Sequence, residues 1–284
     1  VVEGDLLRVE PTRWGVRLIL DRPEVLNALN HDLLQALDRA ILAAATDPAV
    51  RVIVIAGAGR AFSSGYDLNE EVDEVIEGPL QWRDLLAQDI AVTLRVWSCP
   101  KPVIAQVHGY CLAGGLELAM ACDLIVAAVG TRLGEPEIRY GSAPVTLLMP
   151  ALIGQKKTRE LLLTGDLIDA AEAERIGLVN RVVPADRLAD EVDALADQIA
   201  RTPPEVLRLT KQMLNRAMDA AGLQEAIAAG LDLGSIINSA DTPEQREWDT
   251  IVRRDGVKAA LAWRDRRYET DRPDPSGGPA TPKG

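Results

Sequence analysis

The sequence predicts an α/β protein: a largely parallel sheet with helical crossovers, followed by a helical C-terminal region. Up to about residue 200, short β-branched and aliphatic runs alternate with segments whose apolar residues recur at helical spacing. Beyond that point only the helical spacing continues. In chain order, strands are expected at 16–20, 52–55, 103–107 and 124–127, each an aliphatic run too short for a helix. Helices are expected at 31–45 and 83–96 between them, then at 187–200, 204–219 and 223–237. Pro203-Pro204 marks one helix start, where a missing N–H does no harm. Residues 269–284, rich in proline and glycine, are expected to be a disordered tail. This gives a core over 1–200, a region of interaction-competent helices over 201–268, and the tail.

The chemistry concentrates in three segments. The first runs from His108 to Asp123 and sets Gly114-Gly115 just before an apolar helical run, with Glu117 in its first turn. Glycines let another molecule approach the backbone, and a helix start offers unpaired N–H groups and a positive dipole end. Such a place suits a developing oxyanion beside a proton-transferring carboxylate. A closely packed helix with Glu117 as a dipole partner fits the same residues.

The second segment, 57–68, follows the strand at 52–55, a common ligand position in α/β proteins. Three nucleotide or nucleophile motifs fail there. Phe62 stands where a dinucleotide fingerprint needs its third glycine, no phosphate loop with lysine occurs, and Ser63-Ser64-Gly65 does not form a nucleophile elbow. The loop therefore offers backbone donors rather than a nucleophile. The third segment, Gly134-Glu135-Pro136-Glu137-Ile138, has the composition of a solvated turn.

Taken together, these segments closely resemble the crotonase superfamily, and enoyl-CoA hydratases in particular. The resemblance rests on Ala61-Phe62-Ser63-Ser64-Gly65-Tyr66-Asp67-Leu68, on 109–123 and on Glu135-Pro136-Glu137-Ile138. Asp21-Arg22-Pro23-Glu24-Val25-Leu26-Asn27-Ala28-Leu29, Leu162-Leu163-Thr164-Gly165-Asp166 and Ala170-Ala171-Glu172-Ala173 extend it over roughly residues 5–268, in family order. It implies a ClpP-like spiral of ββα units with C-terminal helices, although no internal repeat is visible in the sequence.

The resemblance further implies that the backbone N–H groups of Tyr66 and Gly114 polarise a thioester carbonyl, and that Glu117 and Glu137 share the acid–base work. It places Glu24, Val25, Leu26, Ala28, Arg60, Ala61, Ser64, Gly65, Asp67, Leu68, Gly115, Pro136 and Val145 around the acyl-CoA. Arg60 stands where the family often has a basic residue near the CoA phosphates, which a guanidinium can meet through two hydrogen bonds. The basic cluster Arg264, Arg266 and Arg267 is either a solvated helix face or, as the family's C-terminal helices suggest, a phosphate contact.

Two positions depart mildly from the hydratase pattern. Tyr66 replaces a small residue, and Ala113-Gly114-Gly115 replaces a triple glycine. A larger departure is 141–150, where Val145, Leu147, Leu148 and Met149 stand in place of a glycine-rich stretch. These side chains either line a narrower, greasier acyl wall or face the core. A double-bond isomerase or acyl-CoA lyase would share the oxyanion donors, and a non-catalytic acyl-CoA binder would share the fold.

Composition bounds the remaining possibilities. A net charge of −12 argues against non-specific binding to nucleic acid or an anionic membrane. Neither a membrane-length apolar run nor a secretory pattern is present, so a soluble, cytoplasmic protein is expected. Cys99, Cys111 and Cys122 have no metal-ligand spacing and are read as reduced thiols. His31 and His108 are read as packing or surface residues, so no metal is expected. No cofactor is expected beyond the coenzyme A of the substrate, and the family suggests a homotrimer or a dimer of trimers.

Overall fold

The computed structural model describes residues 6–73 and 76–269, with only the backbone for 71–73. The expected tail therefore lies, apart from Glu269, outside the described residues. A six-stranded sheet is built from β1 (Leu7–Thr12), β2 (Gly15–Leu20), β3 (Val52–Gly57), β4 (Val103–Val107), β6 (Leu124–Ala128) and β9 (Arg181–Val183), in that spatial order. Only the β1–β2 pair is antiparallel. A second sheet joins β5 (Tyr110–Leu112), β7 (Arg132–Gly134) and β8 (Ile168–Asp169).

The parallel sheet is covered on both faces, which is why its strands read as unbroken aliphatic runs. Ile53 and Ile55 of β3 point into the larger core, while Val52 and Val54 point into a smaller one. The same alternation divides Ile125 and Ala127 from Val126 and Ala128 on β6. Helices α1 (His31–Thr46), α3 (Gly78–Ser98) and α4 (Gly114–Ala121) fill the larger side through residues such as Leu33, Leu37, Ile90 and Leu116. On the other face, α8 (Leu188–Ala200) supplies Leu188, Val192, Leu195 and Ala196. Helix α1 starts where the Asn30 side chain accepts from Leu33 N at 3.1 Å, satisfying one orphan donor.

The expected ββα repeat is visible as geometry rather than as sequence. β4–β5–α4 is one unit, its first strand in the large sheet and its second in the small one. β6–β7 repeats that step and leads into a 3-10 helix, Pro136–Tyr140. After β3, Ser63 forms a single parallel bridge to Cys111, a vestige of the same second strand.

The compact division of the chain differs from a boundary at residue 200. It falls at Asp67/Leu68, at Ile76 and at Ala240/Asp241. Helices α9 (Pro204–Ala220) and α10 (Leu223–Asn238) thus belong with the sheet, because α10 packs along α3 and α9 is pinned from below. The pin is Lys211, whose Nζ donates to Asp123 Oδ2 at 2.7 Å and to the carbonyls of Val96 and Lys101. The second unit contains α2 (Leu68–Asp73), α11 (Pro243–Asp255) and α12 (Val257–Tyr268). Thr242 and Gln245 form a capping box at the start of α11, and the Trp248 and Trp263 rings lie 6.4 Å apart between α11 and α12. Helix α12 escapes a reading by periodicity because charged residues interrupt its apolar spacing, whereas α11 does carry Trp248, Ile251 and Val252 at helical spacing.

Removing Lys211 would leave the Asp123 carboxylate with Val103 N as its remaining donor from the sheet. Lys211→Ala is expected to cost about 2–3 kcal/mol. That is below the value for a wholly buried pair, because the Asp123 side chain is 28% exposed. Urea unfolding of the variant measures it; a loss of only a few tenths would show that water replaces the ammonium without penalty.

Candidate active site

The site begins with a clasp. The turn after β2 folds back over the loop after β3, and Asn27, fully buried, ties the two together. Its amide donates to Ala58 O and Ala61 O, both at 2.8 Å, while its carbonyl accepts from Arg22 N at 2.9 Å. Asn27 itself takes φ +54, a conformation that asparagine tolerates better than most residues. Arg22 then reaches Asp67 at 2.8 Å, with both side chains largely buried. Backbone bonds complete the clasp: Ser64 N donates to Leu26 O, Leu29 N to Gly65 O, and Asp67 N to Leu29 O. Residues 63–67 are therefore held in place around a bend at Gly65, with Tyr66 bridged to Leu29.

This path runs against the start of α4. A Cβ added at Gly65 would lie 2.8 Å from Ala113 Cβ and 3.3 Å from Gly114 N. One at Gly114 would meet the Tyr66 ring at 2.5 Å, and one at Gly115 would meet Ser63 Cβ at 2.7 Å. The glycines of both motifs are thus required by one close approach, which sets Gly65 beside Gly114 N and the Tyr66 ring against Gly114. Ala113 caps α4 at φ +49, ψ −129, a strained conformation for a residue with a side chain. Among the described residues no carbonyl accepts from Gly114 N. The start of α4 is therefore a place where an oxygen could gather negative charge.

Every residue of α4 is buried, Glu117 included. Its Oε1 accepts from Val145 N at 2.8 Å and Thr146 N at 2.9 Å, while Oε2 is buried with no hydrogen-bond partner. Burial raises the Glu117 pKa, and the two backbone donors only partly oppose it. The result is a carboxylate fixed by one oxygen and able to exchange a proton at the other.

The small sheet delivers Glu137. β7 runs parallel to β5 with Gly134 opposite Leu112, and Ala113 N donates to Gly134 O at 2.9 Å. The residues after Gly134 therefore emerge beside the start of α4. Pro136 opens the 3-10 helix there, and Glu137 is buried in its first turn. The composition of a solvated turn is misleading at this place: Glu135, Pro136 and Glu137 are all buried.

The other expected residues divide. Ala28, Ala61, Gly65 and Gly115 are buried within the clasp and loop, with Ser64, Val25 and Leu26 half-buried beside them. Glu24 and Arg60 are exposed, and Leu68 opens α2 in the second unit. Val145, Leu148 and Met149 face the larger core, so the core-facing alternative holds for them. What Val145 brings to the site is its N–H. Cys99, Cys111 and Cys122 are buried and unpaired with one another. His108 Nε2 donates to Gly59 O at 2.9 Å and steadies the loop. A groove of about 320 Å³ between the end of α3 and α9, lined by Cys99, Arg208 and Asn215 among others, includes none of these site residues.

Sequence reasoning missed Asn27 and the Arg22–Asp67 pair as the fixings of the loop, and Glu135 as a third buried carboxyl. Only the last had a sequence signal, its position two residues before Glu137.

A family model described as enoyl-CoA hydratase/isomerase matches residues 15–248. A crotonyl-CoA hydratase of Syntrophomonas wolfei is 38% identical over 222 residues, covering 75% of this chain and 84% of that protein. A short-chain-enoyl-CoA hydratase of Clostridium acetobutylicum is 37% identical over 204 residues, covering 70% and 77%. Among solved structures, an enoyl-CoA hydratase/isomerase from Xanthobacter autotrophicus Py2 superposes with a TM-score of 0.89. It is 40% identical and covers 92% of this chain and 98% of that one.

The close approach of the loops makes a stability prediction. Gly115→Ala would set a methyl 2.7 Å from Ser63 Cβ and 2.9 Å from Ser63 O, so it should destabilise by about 2 kcal/mol through overpacking. Chemical denaturation checks this, and an unchanged midpoint would mean that the loops have room to separate.

Proposed function

The chain belongs to the enoyl-CoA hydratase/isomerase family, and on that premise we propose that it adds water reversibly to a 2-trans-enoyl-CoA, giving a 3-hydroxyacyl-CoA. The observation that supports hydration most directly is the pairing of Glu117 and Glu137, both buried, beside the glycine-lined start of α4. Hydration needs an electrophilic C3, a held water, a base and an acid, and this arrangement has a residue for each.

The thioester oxygen takes hydrogen bonds from Tyr66 N–H and Gly114 N–H. Both donors are fixed before the substrate arrives, so they reward the charge that develops on oxygen as C3 is attacked. Water held between the two carboxyls adds its oxygen to C3 and gives a proton to the ionised carboxylate. The other carboxyl, still protonated, delivers a proton to C2 and closes the enolate back to the thioester. Two carboxyls can divide this work when their surroundings separate their protonation states. Burial of Glu117 against two N–H donors is one such asymmetry.

The rest of the reading follows from the substrate. Coenzyme A arrives as part of it, so no separate cofactor or metal is required, and the exposed Arg60 supplies a guanidinium of the kind that pairs with phosphate. Among the described residues no helix is long and apolar enough to cross a membrane. A cytoplasmic enzyme assembled as a trimer or a pair of trimers fits the family. Exposed Val206, Leu209 and Met213 on α9 and Leu233 and Ile236 on α10 are suited to such contacts.

Purified protein should consume crotonyl-CoA with loss of the conjugated enoyl thioester absorbance and a product heavier by one water. Inertness toward both short and long 2-enoyl thioesters would sink the hydratase reading. Glu117→Gln and Glu137→Gln should each lower kcat by about 10²- to 10⁴-fold while retaining acyl-CoA binding. Turnover at the wild-type rate in either variant removes that residue from the mechanism. Gly114→Pro deletes one donor and should abolish turnover; an active, folded variant would overturn the assignment of that N–H.

A further inference from the structure

The buried end of the site holds three carboxyls rather than two. Glu135 is 2% exposed, as buried as Glu117, and it leaves β7 directly beside the start of α4. Among the described residues no hydrogen bond reaches its carboxyl, and no cluster there could hold a metal ion. The groups that act on it are Glu137 on the 3-10 helix and Glu117 on α4, while Cys111 of β5 feels it in turn. The loop before β8 presents apolar Leu167 to Gly134, and Asp166 on that loop is engaged by Arg139. No cation is among the groups acting on Glu135. The Glu117 Oε2 is buried and has no hydrogen-bond partner.

The site can hold one negative charge at modest cost, because Glu117 Oε1 has two backbone donors. Glu135 has no such donors. Burial first, then the charges of Glu137 and Glu117, push its pKa well above the ordinary carboxylate range. Resting on the hydratase reading for the reaction itself, we propose that Glu135 is a positioning residue that must remain the neutral acid for turnover, so that its ionisation sets the upper pH limit of the reaction. The sign follows from the chemistry. The transition state already places negative charge on the thioester oxygen and one carboxylate. A second carboxylate charge nearby opposes both, and water drawn in to solvate it would loosen the held nucleophile. Below its pKa Glu135 is neutral and the site is competent; above it activity falls.

The test compares pH profiles of kcat for wild type, Glu135→Gln and Glu135→Asp, each normalised to its own maximum. Glu135→Gln cannot ionise, so its alkaline limb should move up by at least about one pH unit. At the pH where wild type has fallen tenfold, the variant should keep most of its activity. Glu135→Asp still titrates and should keep an alkaline limb. A limb for Glu135→Gln that coincides with wild type overturns the proposal, since a merely structural glutamate would give that result.

Binding of acetoacetyl-CoA gives a second readout that needs no turnover, because the absorbance of its bound enolate reports how well the site accepts the same negative charge. Enolate binding should weaken with alkaline pH in wild type and persist in Glu135→Gln; parallel loss in both overturns the proposal. A wild type that binds the enolate in this way yet hydrates no enoyl thioester would count against hydration alone. Should Glu135→Gln fail to fold, carbon NMR of labelled wild type decides. A carboxyl titrating far above the usual range, and absent from folded Glu135→Asp spectra at that position, supports it. No such carboxyl overturns it.

Discussion

The two hydrogen bonds from Val145 N and Thr146 N to Glu117 Oε1 are the constraint on which the site turns. Helix α4 is buried along its whole length, so its single ionisable side chain has no water to fall back on. Two backbone donors fix that side chain in one rotamer and lower the cost of its charge, and the donors must themselves be held. Val145, Leu148 and Met149 are anchored in the larger core, and α10 closes over them. A Cβ at Gly230 would lie 2.2 Å from Val145 O. A helix that the sequence assigns to assembly thus reaches the buried Glu117 carboxylate through one loop.

The large sheet was legible because it is covered on both faces, and runs such as 52–55 have no polar alternation to confuse them. The small sheet was not. β5 and β7 are three residues each and β8 is two, too short to show any period. Yet this small sheet brings the segment that carries Glu137 beside the start of α4 by pairing Leu112 with Gly134. The glycine motifs were legible as motifs, but their reason is tertiary: Gly65, Gly114 and Gly115 are demanded by Ala113, Tyr66 and Ser63 on the facing segment.

The 141–150 stretch shows how a local reading goes astray in an instructive way. Its apolar side chains suggest either an acyl wall or a core-facing run, and the core holds Val145, Leu148 and Met149; neither alternative shows what the backbone does. The contribution to the site comes from backbone N–H groups, whose direction depends on a turn with Leu147 at φ +41. Asn27 escaped notice for a related reason. It works by reaching Ala58 and Ala61, thirty-odd positions away, and nothing local distinguishes it from a turn asparagine.

These particulars share a physical logic. Two peptide N–H groups hold Glu117, and neither carries a full positive charge. A lysine or arginine ion-paired there would hold the carboxylate ionised and spend its basicity on the pair. Fixed dipoles stabilise charge enough to place it without making protonation prohibitive, which is what a group that must both take and return a proton requires. Full charges are used instead where nothing has to titrate. Arg22–Asp67 locks the loop and Lys211–Asp123 pins α9, each at the edge of the machinery rather than inside it.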